Sequence, residues 1–182
     1  MGNPETVSIV ELERSDGPFA LLNYRYVTNK HYAAGIARKG DSWEIGLSLR
    51  SLPKPVPKTS QAALFADHVE EPRVFAAKAH GEPVAWMELG LQKWNNRMRI
   101  WQLLVEEDYR RKGIGSQLIG RAVEVAKERG ARMIVLETQS CNVAAISFYL
   151  KHAFELIGLD STAYSNDDIE KGEVRLEFGR RI

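Results

Sequence analysis

Three cations and two glycines stand together in Arg110-Arg111-Lys112-Gly113-Ile114-Gly115-Ser116, immediately ahead of a stretch with helical periodicity. The start of a helix presents unpaired N–H groups and the positive end of its dipole, and glycine lets the backbone come close to an anion, so this pattern suits a pyrophosphate. Two nucleotide-binding patterns fail here. G-x-G-x-x-G would need glycine at Leu118, and a P-loop would need Gly-Lys-Ser/Thr in that order after a longer loop. The plain alternative is a glycine turn whose charges are solvated. A second pair, Asn142 and Tyr149, lies seven residues apart on another helical segment and therefore on one face. A phenol with a pKa of ~10 keeps its proton at neutral pH and can hand it to an anion developing beside it. Packing against Phe148 is the competing reading of Tyr149.

The elements that must position these residues are legible from Arg73 onward. Val74–Ala79 and Val84–Leu91 flank His80-Gly81-Glu82 as a hairpin, and Trp94-Asn95-Asn96 makes a second turn before a strand from Met98 to Val105. Ile114, Leu118, Ala122 and Val125 recur at helical spacing, with Ile119 and Ala126 beside them and Gly130 as the stop. They predict an amphipathic helix of about four turns. The continuous apolar run Met133-Ile134-Val135-Leu136 predicts a strand buried on both faces. A second helix follows from about Asn142 to His152, then strands at Phe154–Leu159 and Val174–Phe178. The order β-β-β-α-β-α-β-β makes a mixed α/β fold. Residues 1–72 are harder to place. Ser8–Leu12 and Trp43–Leu47 alternate like strands, and Leu52–Pro57 must be extended because proline forbids helix there. Ser60 is placed to cap a short helix through Gln61–Ala66 that ends before Pro72.

Composition narrows the classes. A chain of 182 residues fits one domain spanning 1–182. Its 25 Lys+Arg against 24 Asp+Glu lack the basic excess that nucleic-acid binding requires. The lone Cys141 excludes an intramolecular disulfide and any multi-cysteine metal site, which fits a reducing compartment. No apolar run approaches the ~20 residues of a membrane span. The start Met1–Glu5 has no basic region before an apolar stretch, and Val7 stands where a myristoylation motif needs Ser or Thr. The expectation is a cytoplasmic protein with neither membrane nor nucleic acid as partner. No exposed apolar stripe can be assigned to an interface from the sequence.

Arg110, Gly113 and Gly115 match the Q/R-x-x-G-x-G/A signature of the GNAT superfamily of N-acetyltransferases. Asn142-Val143-Ala144-Ala145-Ile146-Ser147-Phe148-Tyr149, running on to Phe154, resembles its second signature, and the element order from Arg73 to Phe178 is similar too. The resemblance implies the GNAT fold: a mixed central sheet of about six to seven strands, flanked by helices and splayed between its two central strands after Val105 and Thr138. Residues 73–178 would form the acetyl-CoA-binding core and 1–72 the acceptor side. It further implies acetyl-CoA as co-substrate, held by main chain at Leu103, Leu104 and Val105, by Arg110, Arg111, Lys112, Gly113, Ile114, Gly115 and Ser116, and by Asn142 and Tyr149. A neutral amine would attack the thioester directly in a ternary complex. A backbone N–H near Leu104 would stabilise the oxyanion, and Tyr149 would protonate the departing thiolate. No metal is implied, and a homodimer is compatible with the resemblance.

Leu136-Glu137-Thr138-Gln139, the Lys93-Trp94-Asn95 turn, and Ile157-Gly158-Leu159-Asp160 leading to Tyr164 look like the streptothricin acetyltransferases, which acetylate an amine of an antibiotic's β-lysine moiety. The implied acceptor is a primary amine of a small cationic molecule, and the implied role is antibiotic resistance. Those enzymes carry two adjacent acids on the strand before the pyrophosphate loop, where this chain has Trp101 and Gln102. The base that takes the amine's proton is then sought at Glu137 or Glu88, each of which also reads as a rim or cross-strand residue. Trp94, Trp101 and Asp160 are the candidate acceptor-binding residues, with Asp167, Asp168 and Glu170 extending an acidic patch. Tryptophan packing and a solvated loop are the corresponding plain readings. Cys141 reads as a bystander. Two further readings stay open: acetylation of a protein α-amine or lysine, and a non-catalytic acyl-CoA sensor.

Overall fold

The computed structural model describes residues 7–182, so the Met1–Glu5 start read above lies outside them. The strands are β1 (Val7–Leu12), β2 (Leu22–Lys39), β3 (Ser42–Ala62), β4 (Arg73–Ala79), β5 (Glu82–Gln92), β6 (Arg97–Val105), β7 (Met133–Gln139), β8 (Glu155–Asp160) and β9 (Arg175–Arg181). The helices are α1 (Ile114–Glu128), α2 (Val143–Lys151) and the single turn α3 (Asp168–Lys171). Seven strands form one mixed sheet in the order β1-β4-β5-β6-β7-β9-β8, as expected of a GNAT fold, and β2 with β3 forms a separate two-stranded sheet.

The chain divides into two compact units, the first made of the segment ending at Tyr24, Gln61–Leu136 and Arg180–Ile182, and the second of Arg25–Ser60 and Glu137–Gly179. In the first unit β1, β4, β5 and β6 are antiparallel neighbours, and β7 joins β6 in parallel from Arg97↔Met133 to Arg99↔Val135. Residues 100–105 of β6 lie beyond that register. Helix α1 buries Ile114, Leu118, Ile119, Ala122, Val125 and Ala126, the residues its periodicity marks. It lies on the sheet face of Phe75, where Arg121 sits 5.2 Å from the ring centroid. The opposite face is covered by a cluster of Leu22, Leu64, Phe65, Val74 and Leu104, with Leu12, Phe19, Tyr24 and Trp86 packed against it.

The helix expected over Gln61–Ala66 does not form. Gln61 and Ala62 end β3, and Phe65 adopts φ +56, outside the helical region, while its N–H is taken by Glu88. The extended reading of Leu52–Pro57 holds, inside a strand far longer than the isolated segment suggested.

Both long helices end in the same motif. After α1, Gly130 at φ +63 donates to Lys127 O and Ala131 donates to Ala126 O, the paired bonds of a Schellman cap. After α2 the same bonds run from Ala153 to Leu150 O (3.2 Å) and from Phe154 to Tyr149 O (3.1 Å), but the left-handed residue at φ +59 is alanine. A Cβ in that region costs ~1–2 kcal/mol, partly offset by the greater chain entropy of an unfolded glycine. Ala153→Gly is therefore expected to stabilise the protein by about 0.5–1 kcal/mol, and thermal unfolding by circular dichroism should show the midpoint rising by about 2 °C.

Candidate active site

In the first unit, the loop between β6 and α1 carries Arg111 at φ +63 and Gly113 at φ +86. A Cβ at 113 would meet nothing within 4 Å, so backbone conformation rather than crowding calls for glycine there. No side chain caps α1, whose ladder opens with Gln117 N–H donating to Gly113 O at 3.1 Å. The N–H groups ahead of Gln117 fall outside that ladder, the arrangement by which the start of a helix suits an anion. Arg110 Nε donates to Val105 O at 3.0 Å, and Lys112 Nζ lies 4.6 Å from the Tyr109 ring centroid. The loop thus has the donor set and charge that a pyrophosphate needs.

The main chain of β6 leads into this loop. Glu106 N–H donates to Val84 O at 2.9 Å, and the register pairs Trp86 with Leu104 and Met87 with Leu103. Antiparallel bonding alternates, so Leu104 exchanges bonds with Trp86 while Leu103 and Val105 direct their N–H and C=O to the other edge. Two of the three expected main-chain contacts are therefore presented. The Leu104 N–H is committed to β5, which leaves Leu103 and Val105 as the residues of this stretch whose N–H groups face the other edge.

A bulge follows in the same strand. The register passes from Glu88↔Gln102 to Leu89↔Ile100 and leaves Trp101 as the extra residue. Bulges re-aim side chains. Here Trp101 turns to the face of Glu88 and Gly90: a Cβ on Gly90 would stand 2.8 Å from its Nε1. His68 packs edge-on against the indole at 4.9 Å, and Arg99 lies 4.9 Å from its centroid. Trp94 and Trp101 line a small cavity of about 170 Å³ with His68, Glu70, Gly90 and Gln92, although Trp94 is 84% exposed. Gln102 accepts from the Tyr24 hydroxyl at 2.8 Å.

Glu88 lies on this face too, with 0% of its surface exposed. Its Oε1 accepts the Phe65 N–H at 2.6 Å, and Oε2 has no partner. Burial pushes its carboxyl above the usual range, against the Phe65 hydrogen bond and the charge of Arg14.

The second unit holds the other predicted residues. Tyr149 is buried among Phe148, Phe154 and Phe178, and burial pushes its hydroxyl up to about 12. Its backbone carbonyl is the acceptor of the Schellman bond from Phe154, which fixes the end of α2 around it. Asn142, expected at the cofactor, is the N-cap of α2, its Oδ1 accepting from Ala145 N–H at 3.2 Å. Glu137 is paired with Arg175 at 2.6 Å. Cys141 is buried, 3.4 Å from the Tyr26 hydroxyl, which donates to Gln139 Oε1 at 2.8 Å.

The acidic patch is broken up. Asp168 is 1% exposed and accepts from Tyr164 N–H and Ser165 Oγ at 2.8 and 2.7 Å, so it holds a loop rather than facing solvent. Asp160 is exposed and accepts from Thr162 N–H at 3.0 Å.

Residues 45–154 match the acetyltransferase (GNAT) family, and the chain belongs to it. Among its relatives is streptothricin acetyltransferase A of Bacillus subtilis, 42% identical over 73 residues, covering 40% of this chain and 42% of that one. The streptothricin acetyltransferase of Streptomyces lavendulae is 36% identical over 89 residues, covering 49% and 47%. The chain thus spans less than half the length of these curated relatives. A Bacillus anthracis protein described as a candidate streptothricin acetyltransferase, solved with acetyl coenzyme A, superposes with a TM-score of 0.77 at 26% identity over 99% of both chains. No helix among the described residues is long and apolar enough to cross a membrane.

Tyr24, Tyr26 and Phe65 stand outside the residues that the sequence marks as candidates. Tyr24 and Tyr26 did leave a signal: Leu22-Asn23-Tyr24-Arg25-Tyr26 alternates like a strand with both phenols on one side. Phe65 left none, because its turn is set by a partner 23 residues away.

The raised carboxyl of Glu88 fixes the sign of a stability effect. A group whose folded pKa exceeds its unfolded value contributes stability that is full below the unfolded pKa and lost as pH rises through the folded one. Glu88→Gln keeps an acceptor for Phe65 N–H and carries no charge. Urea unfolding should find it more stable than wild type at pH 8, with the difference vanishing toward pH 4.

Proposed function

We propose that this chain transfers the acetyl group of acetyl-CoA to a primary amine of a small cationic molecule of the streptothricin type, and so serves antibiotic resistance in the cytoplasm. Tyr149 carries the reading: a tyrosine in the second GNAT signature, fixed by a helix cap, that keeps its proton up to about pH 12. The relatives that acetylate streptothricin and the acetyl-CoA-bound relative support the substrate pair.

Acetyl-CoA brings an activated thioester, and this chain's residues do the rest. The Arg110–Ser116 loop takes the pyrophosphate on its N–H groups and cations. Leu103 and Val105 offer main-chain groups to the pantetheine amides, and one of their N–H groups polarises the thioester carbonyl. The amine, having lost its proton, forms the new C–N bond as the C–S bond breaks. Tyr149 gives its proton to the departing sulfur, and the second N–H proton, which the nitrogen sheds through solvent as the amide forms, restores it. The amine's proton passes through water to Glu88, whose raised pKa and unpartnered Oε2 suit a base better than the ion-paired Glu137 does.

Purified protein incubated with acetyl-CoA and a panel of amines should release free thiol with streptothricin and not with acetylatable peptides; release on peptides alone would move the assignment to protein acetylation. Tyr149→Phe should lower kcat by about 100-fold or more while acetyl-CoA binding by calorimetry stays intact, and an unchanged kcat would remove the tyrosine from its role. In a kcat/KM pH profile, Glu88→Gln should move the rising limb and Glu137→Gln should not.

A further inference from the structure

Strands β5 and β6 run on past the Glu88–Gln102 pair toward the turn that joins them, and the register sets Gly90 opposite Arg99 and Gln92 opposite Arg97. Residues directly opposite share a face, so both arginines stand on the side that carries Glu88 and the bulged Trp101. Gly90 puts no side chain there. Around the point where its Cβ would lie, Val69 Cγ1 and Trp101 Nε1 each stand at 2.8 Å and the Glu70 carbonyl oxygen at 3.1 Å. Glycine is therefore what admits the indole N–H and the Val69–Glu70 backbone together over the strand. The cavity of about 170 Å³ that these residues bound with His68 and Gln92 begins two residues along β5 from Glu88. That step is about 7 Å. A cavity of about 150 Å³ holds one benzene molecule, so this one has room for a single ring.

The groups around it donate hydrogen bonds and carry positive charge. An indole N–H and a guanidinium can only donate. Arg99 is 6% exposed, with its guanidinium 4.9 Å from the Trp101 ring centroid. Arg97 is half-buried, its Nε is buried with no hydrogen-bond partner, and among the described residues it forms no ion pair. A guanidinium left in that condition is stabilised by whatever brings it an acceptor. Glu70 is the carboxylate of the lining; it is exposed, and its charge acts on Lys93.

We propose that this cavity binds a small carboxylate carried on a single ring, the oxygens accepting from the Trp101 N–H in the field of Arg97 and Arg99. The ring lies against Trp101 and His68, which already meet edge to face at 4.9 Å. Size sets the body of the ligand and the excess of donors sets its sign. An ammonium of the same size would meet two guanidiniums and another donor. The site thus takes the opposite charge to the cation expected at Trp101, and it needs no acetyl transfer to be occupied.

Benzoate is the probe, and benzylamine presents the same ring under the opposite charge. In proton–nitrogen correlation spectra of the full chain saturated with acetyl-CoA, benzoate should shift the Trp101 indole N–H, with a Kd in the millimolar range or tighter, and leave Trp43 and Trp86 in place. The spectrum of Trp101→Phe assigns the signal. Benzylamine should bind at least about tenfold more weakly, and Arg97→Gln should weaken benzoate by about tenfold with unchanged far-UV circular dichroism. Should Arg97→Gln fail to fold, the contrast between benzoate and benzylamine on the wild-type chain decides alone. The assignment falls if benzylamine binds as well as benzoate, or if benzoate moves another indole and not Trp101. It falls equally if folded Arg97→Gln binds benzoate unchanged, or if no indole moves at high millimolar benzoate.

Discussion

A carboxyl group buried on the inner face of a sheet obliges the chain around it to supply a donor or to accept the neutral form. At Glu88 the donor is the Phe65 N–H, and presenting it turns Phe65 into left-handed backbone. That turn delivers the Phe65 ring to Leu22, Leu64, Val74 and Leu104 and stacks it on Phe19 at 5.4 Å. Arg14 closes the arrangement from behind by donating to the Phe65 carbonyl at 2.7 Å. One polar contact therefore fixes where the segment after β1, the segment after β3 and the sheet meet. It also decides which groups share that face: Trp86, Gln102, Tyr24 and the bulged Trp101.

Main chain, more than side chain, positions the groups assigned to chemistry. Leu103 and Val105 are selected by antiparallel alternation, which the single bond from Glu106 to Val84 sets in phase. Tyr149 is placed by the carbonyl it lends to a Schellman cap, a bond that would form with any side chain at that position. Leucine and valine can hold such positions because the groups concerned belong to the backbone, whatever the side chain.

The same logic explains what the sequence made legible. Helix α1 and strand β7 follow from periodicity and continuity of apolar residues, which are local properties, and the phosphate loop follows from glycines and cations in a row. The bulge at Trp101 was hidden because Ile100-Trp101-Gln102-Leu103 reads as an unbroken strand, and only the opposing register reveals the extra residue. Asp168 looked like surface charge because Asp167, Asp168 and Glu170 are adjacent in sequence; its burial depends on Tyr164 and Ser165 folding over it. Ser60 suggested a helix start, but the strand pairing of β3 and the pull of Glu88 on Phe65 outweigh a local capping preference.

The two-stranded β2–β3 sheet shows the opposite relation between pattern and environment. Trp43-Glu44-Ile45-Gly46-Leu47-Ser48-Leu49 alternates as a half-buried strand does, yet its apolar side meets water within one chain. A contiguous exposed apolar stripe of this kind marks an interaction surface. Trp94 is a useful contrast: it is more exposed than Trp43, but it stands singly in a turn with no strand pattern behind it, and isolated exposed apolar residues are ordinary on protein surfaces. What separates the two tryptophans is the company they keep. Trp43 belongs to a stripe that β3 builds at alternate positions, so the pattern and not the single side chain sets it apart.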